Sequence, residues 1–219
     1  MSYLVETLDE VVSLASVQQI NLERYPYLLE SVVHEYDEGN YSFLFAYPQE
    51  SIVCENKAHA SEFFNQLEQH YLELKLDENP LDLPYIGGWF VYLGYEAVQG
   101  IEDTLDCPEF AYDFPVAFAT HCPACIIVDH KQQQTYCLAE SGFSDLISGL
   151  LEDVQASIEV QPPSPRPVYG SISEDEPDQY LSGVARILEY ISAGDVFQVN
   201  LSRSWCLESD NAISATDVY

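Results

Sequence analysis

Basic residues are scarce in this sequence of 219 residues, where seven Lys and Arg stand against 37 Asp and Glu for a formal net charge of −30. Such a chain repels phosphate groups, which argues against nucleic acid and anionic membranes as partners. A run of about 18 apolar residues, the length that a transmembrane helix needs, is also missing. Residues 1–20 contain acids but no Lys or Arg, unlike a secretory signal, so we expect a cytoplasmic protein.

The six cysteines lack the context of a disulfide framework, because no export signal accompanies them. Cys122 and Cys125 form a Cys-x-x-Cys pair, but a second pair at matching spacing is missing. The pair lies in a segment with the pattern of a strand, where positions three apart point to opposite faces. We therefore expect reduced, mostly buried thiols and no metal site.

Hydrophobic residues make up 47% of the chain and aromatic residues 13%, enough to form a packed core. Alternating large aromatics predict a half-buried strand at 41–47, and apolar residues at helical spacing predict helices at 59–74 and 143–158. Further strands are expected at 27–33, 84–96, 114–129 and 134–140. This mixture predicts an α+β fold of mostly antiparallel sheets with packed helices.

The proline-rich segment 161–167 is the clearest linker in the chain. After it, apolar spacing predicts a helix that ends near Gly194, followed by a strand at 196–202. One helix and one strand cannot bury a core of their own. We therefore predict an N-terminal domain at 1–160, a linker at 161–177 and the truncated start of a second domain at 178–219.

Three segments resemble the component I enzymes that use chorismate. Ile191–Arg203 (ISAGDVFQVNLSR) is similar to the helix-to-strand entry into their chorismate-binding domain, Gly87–Glu96 (GGWFVYLGYE) to a glycine-aromatic strand of their N-terminal domain, and Leu28–Ser31 (LLES) to part of the tryptophan feedback pocket of anthranilate synthases. The Gln-Val-Asn-Leu sequence at 198–201 is typical of aminodeoxychorismate synthases, whereas anthranilate synthases usually have Gln-Val-Val-Leu. The chain thus resembles the N-terminal portion of aminodeoxychorismate synthase component I, an incomplete front half of the anthranilate synthase component I-like fold.

This resemblance implies a transferase of para-aminobenzoate and folate biosynthesis. The complete enzyme converts chorismate, with ammonia from a glutamine amidotransferase partner, to 4-amino-4-deoxychorismate and needs Mg²⁺. The lysine segment and the acidic metal-binding helix of the family have no match in residues 1–219. We therefore assign no catalytic residue, cofactor or metal to this chain and predict that it is inactive alone.

The resemblance also points to two sets of candidate binding residues. Leu29, Glu30, Ser31 and Ser42 are candidates for a tryptophan pocket, although Glu30 facing solvent and Ser31 capping a strand would explain the same residues. The polar strand face with Gln198, Asn200 and Ser202 is a candidate lining of the substrate cleft or a structural junction. Three alternatives remain: a fragment of anthranilate synthase component I, a non-catalytic module that binds tryptophan or docks a partner, and a truncation without function.

Overall fold

The computed structural model describes residues 3–31, 40–74, 79, 82–102, 104–105, 107, 113–162, 170–209, 212–213 and 217. The chain divides into two compact units, Met1–Pro162 and Pro163–Tyr219. The strands run in chain order as β1 (Tyr3–Leu8), β2 (Tyr27–Leu29), β3 (Tyr41–Ala46), β4 (Ser51–Cys54), β5 (Trp89–Leu93), β6 (Ala117–His121), β7 (Ala124–Asp129), β8 (Gln134–Glu140), β9 (Gly170–Glu174) and β10 (Trp205–Ser209). The α-helices are α1 (Leu14–Ile20), α2 (Ala60–Leu74), α3 (Leu146–Ser157) and α4 (Pro177–Ala193).

The first unit is built around a five-stranded antiparallel sheet with the order β1-β8-β7-β3-β2. Alternation along β3 sends Leu44 toward α1 and α3, and Phe43 and Phe45 toward the opposite side. All six residues of β7 are buried because the strand is central and covered on both faces. The two faces of this sheet therefore carry two separate apolar clusters.

A three-stranded antiparallel sheet, β4-β6-β5, lies against the aromatic face of the larger sheet. The ring of Phe90 on β5 stacks on Tyr27 of β2 with centroids 3.9 Å apart and planes 4° apart. The neighbouring Trp89 points to the other side, where it packs with the cluster that includes Phe63 of α2. The aromatic residues thus join the two sheets, while α2 covers the outer face of the smaller one.

The second unit contains α4 and the two-stranded antiparallel sheet of β9 and β10. Gly194 ends α4 in the left-handed conformation, at φ 83°, which glycine adopts without a Cβ clash. None of the seventeen residues of α4 is buried. The expected strand at 196–202 is wrong: these residues are irregular, and β10 begins later and pairs with β9.

Most expected elements of the first unit are confirmed, including β8 at the expected residues 134–140 and the expected α2 and α3 within a few residues. The long strand expected at 114–129 is interrupted at Cys122–Pro123, which connects β6 in one sheet to β7 in the other. The sequence Glu38-Gly39-Asn40 predicts a turn, but of these three residues only Asn40 lies within the described part of the chain. No helix in the described part of the chain is long and apolar enough to cross a membrane.

Candidate functional site at the end of strand β2

The candidate amino-acid site lies where β2 leaves the five-stranded sheet. Leu29 is the last residue of β2 and pairs with Phe43 of β3. Glu30 and Ser31 follow outside the strand, so they emerge at the edge of the sheet. Three of the residues expected from the sequence are thus adjacent along the chain, and Ser42 lies on the neighbouring strand.

Hydrogen bonds connect Ser31 to the neighbouring strand and turn. The backbone N–H of Ser31 donates to Oγ of Ser42 over 3.0 Å. The same Oγ lies 2.7 Å from Nε2 of His130, which follows β7 in the turn that leads to β8. Ser42 is only 3% exposed, so its hydroxyl is committed to contacts within the protein. Its effect at this site is to fix the backbone of Ser31.

The carboxyl group of Glu30 is half-buried, and this burial raises its pKa. Desolvation disfavours the charged carboxylate, which is the physical cause of the shift. A cation brought close to Glu30 would favour the ionised form and oppose that shift.

Apolar side chains are also present at the end of β2. The side chain of Leu29 is 48% exposed at the edge of the sheet. Its strand partner Phe43 is partly buried and lies near Tyr41, with ring centroids 6.3 Å apart. Because Leu29 and Phe43 are paired across the strands, they present one continuous apolar surface. The end of β2 therefore carries an acid and a serine directly after an apolar strand pair.

His130 is a further residue of this site, and local sequence patterns give no indication of its role there. It lies in the turn at residues 130–133 between β7 and β8. Ser42 pairs with Val128 across β3 and β7, so the residue two positions beyond Val128 lies near Ser42. Knowledge of the strand register would have revealed His130, but the order of strands in the sheet is not encoded in local patterns.

The polar residues after α4 that were expected to line a cleft do not lie on a strand. Gln198, Asn200 and Ser202 are all exposed and do not form one face of a strand. Asn200 lies at the rim of an open groove of about 370 Å³. The groove is lined by Tyr180, Val184, Ile187, Leu188, Val199, Asn200 and Leu201. The role of these three polar residues as a cleft lining stays a prediction.

The two cysteines of the Cys-x-x-Cys pair lie on the same side, and the expectation that they point to opposite faces is wrong. The break in the strand at Cys122–Pro123 removes the alternation on which that expectation depended. Both thiols are buried in the cluster that contains Phe45. Burial raises the pKa of Cys122 to about 12 and the pKa of Cys125 well above its usual value. Such thiols are protonated at neutral pH and chemically inert.

The fold has a counterpart among solved structures. It is similar to the crystal structure of anthranilate synthase component I from Streptococcus pneumoniae TIGR4, with a TM-score of 0.56 and 18% sequence identity. That similarity covers 85% of this chain and 45% of the solved chain. At this identity the likeness establishes the fold and not the activity.

Sequence comparison identifies the family. The model for chorismate binding enzymes matches residues 27–219, and the chain belongs to that family. A relative described as an anthranilate synthase component I-like protein, from Synechocystis sp. (strain ATCC 27184 / PCC 6803 / Kazusa), is 29% identical over 158 residues. This match covers 72% of the present chain and 32% of the relative. The chain therefore spans less than half the length of either protein.

Proposed function

We propose that residues 1–219 are the N-terminal part of an aminodeoxychorismate synthase component I. The enzyme that contains them would convert chorismate and ammonia to 4-amino-4-deoxychorismate, with a glutamine amidotransferase partner supplying the ammonia. Membership of the chorismate binding enzymes supports the substrate. The Gln-Val-Asn-Leu sequence at 198–201 is the observation that favours this enzyme over anthranilate synthase.

Anthranilate synthase component I is the second candidate, because the solved relative carries that name and the Synechocystis relative is described as similar to it. The two activities differ in product, which makes them separable in one assay. The Mg²⁺ that the resemblance implies has no evident place in the described residues, where no three His, Cys, Asp or Glu side chains come together.

The test supplies chorismate, ammonium and Mg²⁺ to the protein encoded by the whole reading frame that contains these residues. Chromatography then separates 4-amino-4-deoxychorismate from anthranilate. We expect the former, and the polypeptide 1–219 assayed in parallel should form neither product above a buffer control. Anthranilate as the main product would favour the second candidate, and absence of both products would reject both activities.

We also propose that the end of β2 binds an amino acid, with tryptophan as the ligand. The ligand ammonium would pair with Glu30, its carboxylate would accept a hydrogen bond from Ser31, and its indole would lie on the apolar surface of Leu29 and Phe43. Supporting this assignment, a half-buried acid and a serine whose backbone N–H is held by Ser42 follow directly after Leu29, which pairs with Phe43.

Calorimetry with millimolar tryptophan tests this site. We expect weak binding, in the high micromolar range or about −5 kcal/mol, and no comparable signal from phenylalanine. A charge-assisted hydrogen bond contributes roughly 1.5–3 kcal/mol, so Glu30→Gln should remove most of the signal. Glu23→Gln, at an exposed acid, is the matched control and should bind as the wild type does.

The pH dependence of binding gives an independent check. The pKa of Glu30 is raised in the free protein, and a bound ammonium favours the ionised carboxylate. Affinity should therefore fall as pH decreases through that raised pKa and should be constant well above it. Binding that survives both Glu30→Gln and Ser31→Ala would show that the ligand lies elsewhere.

A further inference from the structure

The turn after β7 is held firmly by its own hydrogen bonds. Asp129 is 2% exposed, and its Oδ1 accepts from the backbone N–H groups of Lys131 and Gln132, each over 2.8 Å. Such a side-chain to backbone pattern stabilises a tight turn. Because the carboxylate is buried and bonded twice, the turn is placed precisely enough to carry a side chain with a defined position.

The backbone of His130 is fixed on both sides within this turn. Its N–H donates to the carbonyl oxygen of Asn40 over 2.8 Å, and its own carbonyl oxygen accepts from Nε2 of Gln133 over 2.8 Å. The first contact ties the turn to the start of β3, and the second closes the turn on itself. The imidazole ring is consequently attached to a backbone with little freedom to move relative to β3.

From this position the ring reaches Ser42, and through it the backbone of Ser31. A serine hydroxyl has one hydrogen to donate and two lone pairs. Oγ of Ser42 accepts the N–H of Ser31 with one lone pair, so its hydrogen and its second lone pair are both available for Nε2 of His130, 2.7 Å away. Which of the two atoms donates in this second bond depends on the imidazole tautomer. The orientation of the hydroxyl, and with it the bond to Ser31, then depends on the ring.

We propose that His130 is the positioning residue of the amino-acid site, acting through Ser42 to hold Ser31 and the adjacent Glu30 in place. This inference rests on the amino-acid site proposed above and adds to it a residue that does not touch the ligand. Ser31 lies two residues past the end of β2, where the sheet no longer constrains it. The hydrogen bond from its N–H to Ser42 takes over that constraint, and preorganised groups bind a ligand at lower entropic cost.

The alternative is that His130 only stabilises the hairpin. The two roles differ at Ser31, which lies in another strand region and is far from His130 in sequence. If His130 serves only the hairpin, the amide of Ser31 is insensitive to substitutions that leave the hairpin folded. If His130 is a positioning residue, the amide responds to any substitution that removes a polar atom from the position of Nε2.

The first experiment needs no ligand. The backbone amide of Ser31 is followed by NMR chemical shift and hydrogen exchange in the wild type and in His130→Gln, His130→Asn and His130→Ala. The glutamine amide can reach the place of Nε2, whereas the shorter asparagine amide corresponds to Nδ1. We expect His130→Gln to preserve the shift and protection of the Ser31 amide. His130→Asn and His130→Ala should lose them, as should Ser42→Ala, while the exposed His59→Ala should not.

The second experiment measures tryptophan binding by calorimetry in the same proteins. We expect an affinity about fivefold weaker in His130→Ala and His130→Asn, the size of one net hydrogen bond, and within about twofold of the wild type in His130→Gln. An unchanged Ser31 amide in His130→Ala, or loss of the amide signature in His130→Gln as well, would overturn the positioning role. If no protein binds tryptophan, the ligand assignment fails, and the amide measurements still decide the role of His130.

Discussion

The contact between Asp153 and the segment before β2 should be a main source of stability in the first unit. Tyr25 is 0% exposed, and its hydroxyl donates to Oδ2 of Asp153 over 2.7 Å. Nη1 of Arg24 reaches the same oxygen over 2.5 Å, and the guanidinium lies over the ring of Tyr47, 5.0 Å from its centroid. Asp153 belongs to α3, so one carboxylate fastens that helix to the chain that leads into the candidate site.

Asp153→Ala should therefore destabilise this unit by roughly 1–4 kcal/mol. Loss of the acceptor leaves the buried Tyr25 hydroxyl unsatisfied, which costs about 1–3 kcal/mol. Loss of the Arg24 pair adds about 0–1 kcal/mol, because the guanidinium is 31% exposed and screened by water. Asp153→Asn keeps an acceptor for the tyrosine and should cost only about 1 kcal/mol.

Urea unfolding followed by the fluorescence of Trp89 provides the measurement, in a Trp205→Phe background so that only the first unit is observed. Glu152→Ala changes the exposed acid next to Asp153 and should alter the free energy of unfolding by less than about 0.5 kcal/mol. In a Tyr25→Phe background the cost of Asp153→Ala should shrink by about 1–2 kcal/mol. If Asp153→Ala lowers the free energy of unfolding equally with Tyr25 and with Phe at position 25, the buried Tyr25 hydroxyl is not the source of this stability.

Three further predictions concern packing, thiol reactivity and local stability. Gly100→Ala should destabilise the first unit by about 1–3 kcal/mol in the same urea assay, because the added Cβ would lie 2.6 Å from the backbone of α2. The control Gly142→Ala should be neutral, because its Cβ would meet no atom within 4 Å. Equal effects of the two substitutions would contradict the close approach of Gly100 to α2. A disulfide reagent should modify the exposed Cys206 quickly, whereas the five buried thiols should react only after unfolding. A fast phase of modification that persists in Cys206→Ser would disprove this difference in reactivity. Amide hydrogens of α4 should exchange with solvent well before those of β7, because α4 has no buried residue and β7 is buried throughout. Equal protection of the two elements would refute this order of stability.

Raised tyrosine pKa values predict how the first unit responds to alkali. Burial, together with the nearby Asp153, raises the pKa of Tyr25 far above its usual value near 10. A raised pKa means that the folded state favours the protonated phenol, so this stabilisation is complete below about pH 10 and is lost as pH rises further. The urea midpoint should fall above about pH 10, and Tyr25→Phe should make that decline shallower.

The sequence predicted those elements whose pattern is local and regular. The strand β8 is a short run bounded by polar residues and lies at the expected position, and the helix α3, with its clean periodicity of 3.6 residues, lies within a few residues of its own expected position. The expected strand at 196–202 shows the limit of reasoning from local patterns. Its alternation is regular, but it has no strand partner among the described residues, whereas β10 pairs with β9. Pairing, more than alternation, decides whether a segment is a strand.

The candidate site was accessible from the sequence only in part. Leu29, Glu30 and Ser31 are consecutive, so a family resemblance was sufficient to select them. His130 is distant from them in sequence and reaches them only because β3 pairs with both β2 and β7. The arrangement of Cys122 and Cys125 on one side is also a long-range effect. The strand is interrupted at Cys122–Pro123 because the chain passes there from one sheet to the other.

The pairing of the first strand with a late one has a consequence for synthesis of the protein. Tyr3 in β1 lies opposite Glu140 in β8, and Leu8 lies opposite Thr135. At a translation rate of about 5–20 residues per second, β1 leaves the ribosome roughly 7–26 s before its partner has been made. During that interval the nascent strand is available to other chains, and the acids Glu6, Asp9 and Glu10 in and after it provide repulsion against such encounters.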